Sequence, residues 1–395
     1  MDLEFTPEQA ELRCSLRRYF AALMGGGRKH LGRGEHRTEA DKAVLRRMGA
    51  DGWLGVGFPA EYGGLGFGPV EQFIFLEEAR RAGAPLSSVT IMTIGPSIVR
   101  FGTDEQKERF VPGILRGEIT FAVGYSEPDA GTDLGRLRTR AVRDGGEYVI
   151  TGQKYWTSGG DSADYIWLAA RTDPESTGYE GVSLFIVPTT SPGFRCSVVE
   201  TLASHRTTAT YYEEVRVPAS AMVGRENRGW DVVTSQLNLE RLMMIMPGPV
   251  EELFWDLVAW CRAPQDHGRR PIDEAWVQME LARVQAGLRA LRLLVWRAVS
   301  DAARTRVNPG DVSAVKVLGS ELYVDACRRM LDVAGEAGAV VEGSPGSVLA
   351  GRLEESYRTA AIKTFGGGVN EVQREIVGRH RLGLPRVPRP SDRGR

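Results

Sequence analysis

The chain has few of the residues on which disulfide-stabilised and metal-binding proteins depend. Only four cysteines and five histidines occur among 395 residues, and neither type shows the spacing of a metal or redox motif. The cysteines stand singly, at Cys14, Cys196, Cys261 and Cys327. A disulfide-rich secreted domain and a metal site are therefore not expected, and isolated thiols suit a reducing compartment.

An excess of charge and a long apolar run are missing as well. Fifty Lys and Arg residues balance 51 Asp and Glu residues, which leaves a net charge of −1. Such a chain offers no general attraction for nucleic acid or for an acidic membrane surface. The apolar runs fall far short of the roughly 20 residues that a membrane-spanning helix needs, and residues 1–13 are charged, without an apolar signal region. We therefore expect a cytoplasmic protein with no membrane span.

Hydrophobic periodicity divides the chain into three regions. In residues 1–118 apolar side chains recur at helical spacing, and Thr103-Asp104-Glu105-Gln106 forms a capping box that begins a helix. Residues 119–230 alternate apolar and polar side chains between Gly and Pro turns, which is typical of strands. Residues 231–395 return to helical spacing. The pattern predicts an α+β protein of three domains with these bounds.

Two polar-aromatic patches stand at the ends of the first predicted hairpin. Residues 125–128, Tyr-Ser-Glu-Pro, and residues 131–133, Gly-Thr-Asp, precede the hairpin, whose turn is predicted at Asp144-Gly145-Gly146. Residues 156–159, Trp-Thr-Ser-Gly, follow it. Hydroxyls, exposed backbone and an indole at strand ends could hold a flat polar ring. Alternatively, Trp156 is core and the hydroxyls are ordinary turn residues.

The run SEPDAGTD followed by GQKYWTSGG resembles the flavin-binding signature of the acyl-CoA dehydrogenases. Its two halves have the order and spacing of that family, and the similarity extends over nearly the whole chain. The resemblance implies an N-terminal helical domain, a middle β-barrel or sandwich domain and a C-terminal four-helix bundle. It also implies FAD as cofactor, α,β-dehydrogenation of an acyl-CoA thioester to the trans-2-enoyl-CoA, and electron-transfer flavoprotein as acceptor.

This reaction needs a carboxylate that removes the α-proton and hydrogen-bond donors for the thioester oxygen. Many family members carry the base as a Glu in a C-terminal loop. Counting back from Gln373-Arg374 places Gly367 at that position, where only its main-chain N–H could serve the thioester oxygen. A minority of the family carries the Glu in a Leu-Glu-Arg-Leu motif, which occurs here at residues 239–242. The resemblance thus implies Glu240 as the base; alternatively, Glu240 and Arg241 are an exposed polar pair on an amphipathic helix.

Other roles follow from the resemblance, position by position. Ser126 matches a hydroxyl that contacts the flavin ring, Trp156 an aromatic residue stacked near the isoalloxazine, and Ser158 a hydroxyl near N5. The complete set of expected flavin-binding residues is Tyr125, Ser126, Glu127, Trp156, Thr157 and Ser158.

Two residues are expected to contact the substrate. Thr132 matches a residue near the CoA pantetheine, and Arg241 matches an Arg that shapes the path of the thioester and pantetheine, whereas Asp133 is expected to be a structural turn residue. The runs LNLERL and TFGGGVNEVQREIV most resemble a bacterial subgroup that acts on bulky acyl-CoAs such as steroid side chains. An acyl group on a carrier protein stays open as the substrate.

The half of the family's FAD site that binds the adenine and pyrophosphate is altered in this chain. Family homotetramers complete that half with an Arg before Phe-Gly and with a Gln-x-x-Gly-Gly-x-Gly run from a neighbouring subunit. Residues 267–273 contain no Phe-Gly, and in residues 332–338 Asp332 and Glu336 replace the Gln and a Gly. Carboxylates near a pyrophosphate are electrostatically unfavourable.

We therefore expect an α2β2 heterotetramer in which a homologous subunit supplies that half. A homotetramer with diverged contacts is the alternative, since oligomers are most often homomeric. A flavin oxidase or monooxygenase on the same scaffold, and a non-catalytic supporting subunit, are the competing functions.

Overall fold

The structure is a computed structural model that describes residues 4–25, 37–203, 206–265, 268–304 and 308–385. The side chains of residues 238–240 and 242–244 also lie outside this description. The chain divides into two compact units. The bundle unit consists of Met1–Gly32, Pro69–Gly83 and Arg241–Arg395, and the sheet unit of Arg33–Gly68 and Ala84–Glu240.

Helices precede and follow a central run of strands, and this confirms the predicted α+β class. The helices are α1 (Pro7–Leu23), α2 (Glu39–Ala50), α3 (Pro69–Arg81), α4 (Gly95–Phe101), α5 (Asp104–Leu115), α6 (Gly229–Met244), α7 (Gly248–Arg262), α8 (Ala275–Arg304), α9 (Pro309–Ala334), α10 (Arg352–Ala360), α11 (Ile362–Phe365) and α12 (Asn370–Arg381). The strands are β1 (Phe121–Gly124), β2 (Arg140–Asp144), β3 (Glu147–Lys154), β4 (Tyr165–Arg171), β5 (Val182–Pro188), β6 (Phe194–Glu200), β7 (Arg206–Pro218) and β8 (Met222–Val223).

Local sequence signals account for several element ends. The predicted capping box is confirmed at α5, where the Gln106 N–H donates to Thr103 Oγ1 (3.3 Å) and the Thr103 N–H to Gln106 Oε1 (3.2 Å). This reciprocal pair satisfies two of the N–H groups that a helix N-terminus leaves without partners. The predicted hairpin turn is also confirmed, because Asp144 pairs with Glu147 and Gly145 adopts a φ of 60°.

The sheet has the strand order β6-β7-β3-β2-β4-β5-β8, and β1 adds a parallel pairing to β4. Antiparallel pairing joins β2 to β3, β3 to β7, β4 to β5, β5 to β8 and β6 to β7. One face packs on a buried cluster that includes Tyr148, Ile166, Phe185 and Tyr212. Side chains that alternate with this cluster along each strand lie on the opposite face. The sheet therefore supplies a rigid support for the loops at its strand ends.

In the bundle unit, a partly buried group of ion pairs joins three helices. Glu77 of α3, whose side chain is 1% exposed, accepts a hydrogen bond from Arg292 of α8 (3.0 Å). Arg292 Nε donates in turn to Glu251 of α7 (2.8 Å). Each charge has an opposite charge within hydrogen-bonding distance, which offsets the cost of burial.

Each compact unit combines stretches from more than one predicted domain, so the bounds at residues 118 and 230 stay a prediction. Within the described ranges, no helix has the combination of length and apolarity that crossing a bilayer requires.

Candidate functional site

The two polar-aromatic patches lie side by side in the sheet unit. Strand β1 ends at Gly124 and β3 at Lys154, and the segments that follow them are hydrogen-bonded to each other. The Tyr155 N–H donates to the Ser126 carbonyl (2.8 Å), and Lys154 Nζ donates to the Tyr125 carbonyl (3.1 Å). The fold thus joins two motifs that the β2–β3 hairpin separates in the sequence.

A buried ion pair holds these two segments together. Lys154 Nζ lies 2.8 Å from Glu127 Oε1, and their side chains are 0% and 7% exposed. The Glu127 carboxylate also accepts the main-chain N–H groups of Arg138 (2.7 Å) and Thr139 (2.9 Å). Burial opposes ionisation of Glu127, but Lys154 and the main-chain donors outweigh it and hold the pKa of Glu127 below its usual value. Burial lowers the pKa of Lys154 to about 8, so both groups are charged at neutral pH.

Glu127 therefore supports the loop from within the protein. Its main-chain N–H donates to the Ala130 carbonyl (3.0 Å), and its side chain is committed to the ion pair. A contact between Glu127 and a flavin stays a prediction.

Trp156 leaves the sheet in a conformation that few residues adopt. Its φ is 65°, and its side chain is 57% exposed. The next residue is fixed by a hydrogen bond from the Thr157 N–H to the Thr208 carbonyl (2.9 Å), and the Tyr155 ring packs edge-on against the indole at 4.6 Å. Positive φ at a large residue costs free energy, and residues held in this way cluster at functional sites. The exposure rules out the alternative in which Trp156 is sheet core.

The three hydroxyl side chains expected near the flavin differ in their exposure and hydrogen bonding. Ser126 is half-buried, and within the described ranges its Oγ has no hydrogen-bond partner. Ser158 is exposed, with its Oγ 3.2 Å from Thr207 Oγ1. Thr157 is fully buried, and its Oγ1 lies 3.4 Å from Thr210 Oγ1. Ser126, Trp156 and Ser158 thus present polar or aromatic groups outward, whereas the Thr157 side chain is directed toward β7.

The loop after Ser126 is built on Asp133. Its Oδ1 accepts the Gly135 N–H (3.2 Å) and the Tyr179 hydroxyl (3.2 Å), which confirms that Asp133 is a structural turn residue. Thr132, beside it, is exposed. The structure leaves Thr132 accessible, and its contact with pantetheine stays a prediction.

Glu240 is the last residue of the sheet unit and lies on α6. Its side chain lies outside the described residues, so its assignment as the base is based on the sequence motif alone.

Arg241 and Gly367, both in the bundle unit, are brought together by the fold. Arg241 Nε donates to the Gly367 carbonyl (3.1 Å), and Gly367 has a φ of 65°. Among the described residues, no acceptor is paired with the Gly367 N–H. Its donation to a thioester oxygen stays a prediction.

Lys316, which no motif in the sequence predicts, fixes this loop. Lys316 of α9 is fully buried, and its Nζ donates to the Thr364 carbonyl (2.9 Å) and to Asn370 Oδ1 (2.7 Å). These acceptors lie on either side of Gly367. Burial, reinforced by the charge of Arg241, lowers the pKa of Lys316 to about 8. The only signal in the sequence is a single Lys inside the apolar run VSAVKVLGS.

Comparison with known proteins identifies three matching family models. The N-terminal domain of acyl-CoA dehydrogenases matches residues 6–118, the middle domain matches residues 122–215, and the C-terminal domain matches residues 227–382. The acyl-CoA dehydrogenase FadE26 of Mycobacterium tuberculosis is 47% identical, over 98% of this chain and 100% of that protein.

Two solved structures are similar along their whole length. The Tcur3481-Tcur3483 steroid ACAD matches with a TM-score of 0.93 and 45% identity, over 98% of this chain and 100% of the matched chain. The ChsE4-ChsE5 complex of Mycobacterium tuberculosis matches with a TM-score of 0.89 and 45% identity, with the same coverage.

The buried ammonium of Lys316 leads to a pH-dependent prediction. Its pKa is about 8 in the folded chain and 10.5 when unperturbed, so between these values the unfolded chain binds the extra proton. The free energy of unfolding should then rise with pH in this window, relative to that of Lys316→Met, by about 1 kcal/mol per pH unit. Urea titrations of both proteins from pH 7.5 to 10 measure the difference.

Lys107→Met is the matched control. Asp104 holds the pKa of this surface lysine above its ordinary value, so no rise is expected in the same window. Parallel pH profiles for the wild type and Lys316→Met would show that Lys316 titrates normally.

Proposed function

The chain belongs to the acyl-CoA dehydrogenase family, and from this premise we propose that Glu240 is the base with which it dehydrogenates an acyl-CoA. The observation that best supports a cofactor site is the exposed indole of Trp156, held at positive φ beside Ser126. We further propose a bulky substrate, a CoA thioester of a steroid side-chain acid, because a matched solved structure is described as a steroid ACAD.

Family membership implies a flavin cofactor, and the residues of the sheet unit fit one. Trp156 offers an exposed aromatic face, Ser126 an Oγ without a partner among the described residues, and Ser158 an exposed hydroxyl. We propose that these groups hold the isoalloxazine of FAD. The chemistry that bound FAD supplies is acceptance of the hydride from the substrate β-carbon.

Residues of this chain remove the α-proton of the substrate and stabilise the charge that its removal creates. Glu240 removes the α-proton, and the electron pair of that C–H bond delocalises onto the thioester oxygen. The Gly367 N–H donates to that oxygen and stabilises its developing negative charge, and Arg241 fixes the Gly367 carbonyl.

Electron-transfer flavoprotein is our proposed electron acceptor. A cytoplasmic location is our expectation, consistent with four free cysteines.

We also propose an α2β2 assembly with a homologous subunit. Asp332 and Glu336 are exposed at the predicted adenine-pyrophosphate position, and Arg328 forms an ion pair with Asp332 (3.2 Å). Arg270, in the other predicted segment, forms an ion pair with Asp273 (2.7 Å). Each of these two arginines is thus already paired with a carboxylate. The two matched solved structures are each described by two protein names.

Replacing Glu240 tests the base. Glu240→Gln should retain the flavin but reduce it about 10²- to 10⁴-fold more slowly on adding acyl-CoA, since a positioned general base contributes this much. Stopped-flow absorbance of the flavin measures the rate. Gly367→Glu in that background should restore part of it.

Asp231→Asn, which removes an exposed carboxylate from the same helix, is the control and should leave the rate unchanged. Flavin reduction by Glu240→Gln at the wild-type rate would refute the assignment of the base.

Replacing Trp156 tests whether its indole contacts the flavin. Trp156→Ala should shift the flavin absorbance spectrum and weaken flavin binding, because stacking contributes roughly 0.5–1.5 kcal/mol beyond buried area. Spectra and flavin titration measure both effects. Trp255→Ala removes an indole of similar exposure, 48%, from α7 and should change neither. If Trp156→Ala leaves spectrum and affinity unchanged, the indole does not contact the cofactor.

Expression with and without the homologous subunit tests the assembly. Alone, the chain should lose flavin or aggregate, and with its partner it should form a tetramer that contains two FAD. Light scattering gives the mass, and absorbance gives the flavin-to-protein ratio. A homotetramer of this chain that binds four FAD tightly is incompatible with the proposal.

A further inference from the structure

A continuous chain of buried hydrogen bonds links strand β4, helix α6 and a π-helical turn within the sheet unit. The Tyr125 hydroxyl donates to Gln236 Oε1 and accepts the indole N–H of Trp167 (3.0 Å). Gln236 Nε2 donates to Thr93 Oγ1 (3.3 Å), and this hydroxyl donates to the Val89 carbonyl (2.7 Å). We call these five residues the Gln236 network.

The network is closed to solvent. Trp167 and Gln236 are 0% exposed, Thr93 is 2% exposed and Tyr125 is 6% exposed. In such an environment an unpaired polar group costs about 1–3 kcal/mol, so each partner strongly favours one placement of its neighbours. The side chain of Gln236 therefore fixes where this part of α6 lies relative to β1 and β4.

The Gln236 network joins the segment that contains Ser126 to helix α6, which carries the proposed base. Tyr125 immediately precedes Ser126 in the chain, and Gln236 precedes Glu240 by four residues, about one turn of α6. Thr93 belongs to the π-helix Thr90–Ile94, a rare conformation that often occurs at functional sites. The hydrogen bonds thus connect the segment that contains Ser126, a proposed flavin contact, directly to the helix that carries the proposed base.

We propose that Gln236 is a positioning residue that holds the Glu240 turn of α6 at a fixed place relative to the Ser126 segment. This inference depends on the proposed role of Glu240. A base misplaced by about 1 Å can lose a factor of 10² in rate, even when substrate binding is intact. Loss of the Gln236 hydrogen bonds should therefore slow proton removal and leave affinity for the substrate largely unchanged.

The test compares Gln236→Leu with Gln106→Leu. Gln106 is a second buried Gln of the sheet unit, and its Nε2 donates to the carbonyls of Ser220 (2.7 Å) and Met222 (2.8 Å), away from the Gln236 network. Both variants lose buried hydrogen bonds and should lose stability. Only Gln236→Leu should slow flavin reduction.

The measurement is stopped-flow flavin reduction by the full chain, co-expressed with its homologous subunit. The probe is a CoA thioester of a steroid side-chain acid, used with hydrogen and with deuterium at the α-carbon. For Gln236→Leu we expect a rate per bound flavin that is about 10- to 100-fold lower, with substrate Kd and flavin content within twofold of the wild type. The α-deuterium isotope effect should be larger, because proton removal limits the rate more strongly. Gln106→Leu should keep the wild-type rate and isotope effect.

Tyr125→Phe removes one oxygen atom from the same network and provides the test should Gln236→Leu fail to fold. It should also slow reduction and raise the isotope effect, and the double variant should be no slower than the slower single variant, because both act through one network. Wild-type rates and isotope effects in the variants that fold, together with a slow Glu240→Gln, would overturn the positioning role and leave the base assignment intact. If Glu240→Gln is fast as well, the inference fails along with the proposed base.

Discussion

The buried ion pair between Glu127 and Lys154 is the constraint on which the candidate site depends. Taking both charges out of water is costly, and the cost is offset by their mutual attraction and by hydrogen bonds from Arg138 and Thr139. A partner lost from such a pair leaves an uncompensated buried charge, so the pair permits one register between the loop after β1 and the end of β3. Lys154 lies two residues before Trp156, which leaves the sheet at positive φ.

The bundle unit follows the same principle with a different lysine. Lys316 is buried among neutral acceptors at Thr364 and Asn370, and it holds the two ends of the loop that contains Gly367. In both units a buried ammonium orders a loop whose outward groups remain available. This separation between supporting and contacting residues is the arrangement that preorganised sites require, because a contacting group is only as well placed as the residues that hold it.

Local hydrogen bonds in the turn after β3 decide which of its residues face outward. Thr157 and Ser158 are neighbours, yet Thr157 is buried against Thr210 whereas Ser158 is exposed. The family motif names the segment as a whole and does not distinguish its supporting members from its contacting ones. The same holds for Glu127, which the motif includes and which the structure assigns to the ion pair. Membership of a cofactor-binding motif is therefore weaker evidence that a side chain contacts the cofactor than exposure of that side chain in the folded protein.

The sequence by itself determined the order of helices and strands, the turn at Asp144-Gly145-Gly146 and the capping box at Thr103. These features depend on local periodicity, turn chemistry and short-range hydrogen bonds, which adjacent residues encode. Only the tertiary structure decided the exposure of Trp156, the role of Lys316 and the bond between Tyr125 and Gln236, which are 111 residues apart. Such contacts leave no periodic signal, because their partners meet only after the sheet and helix α6 have packed.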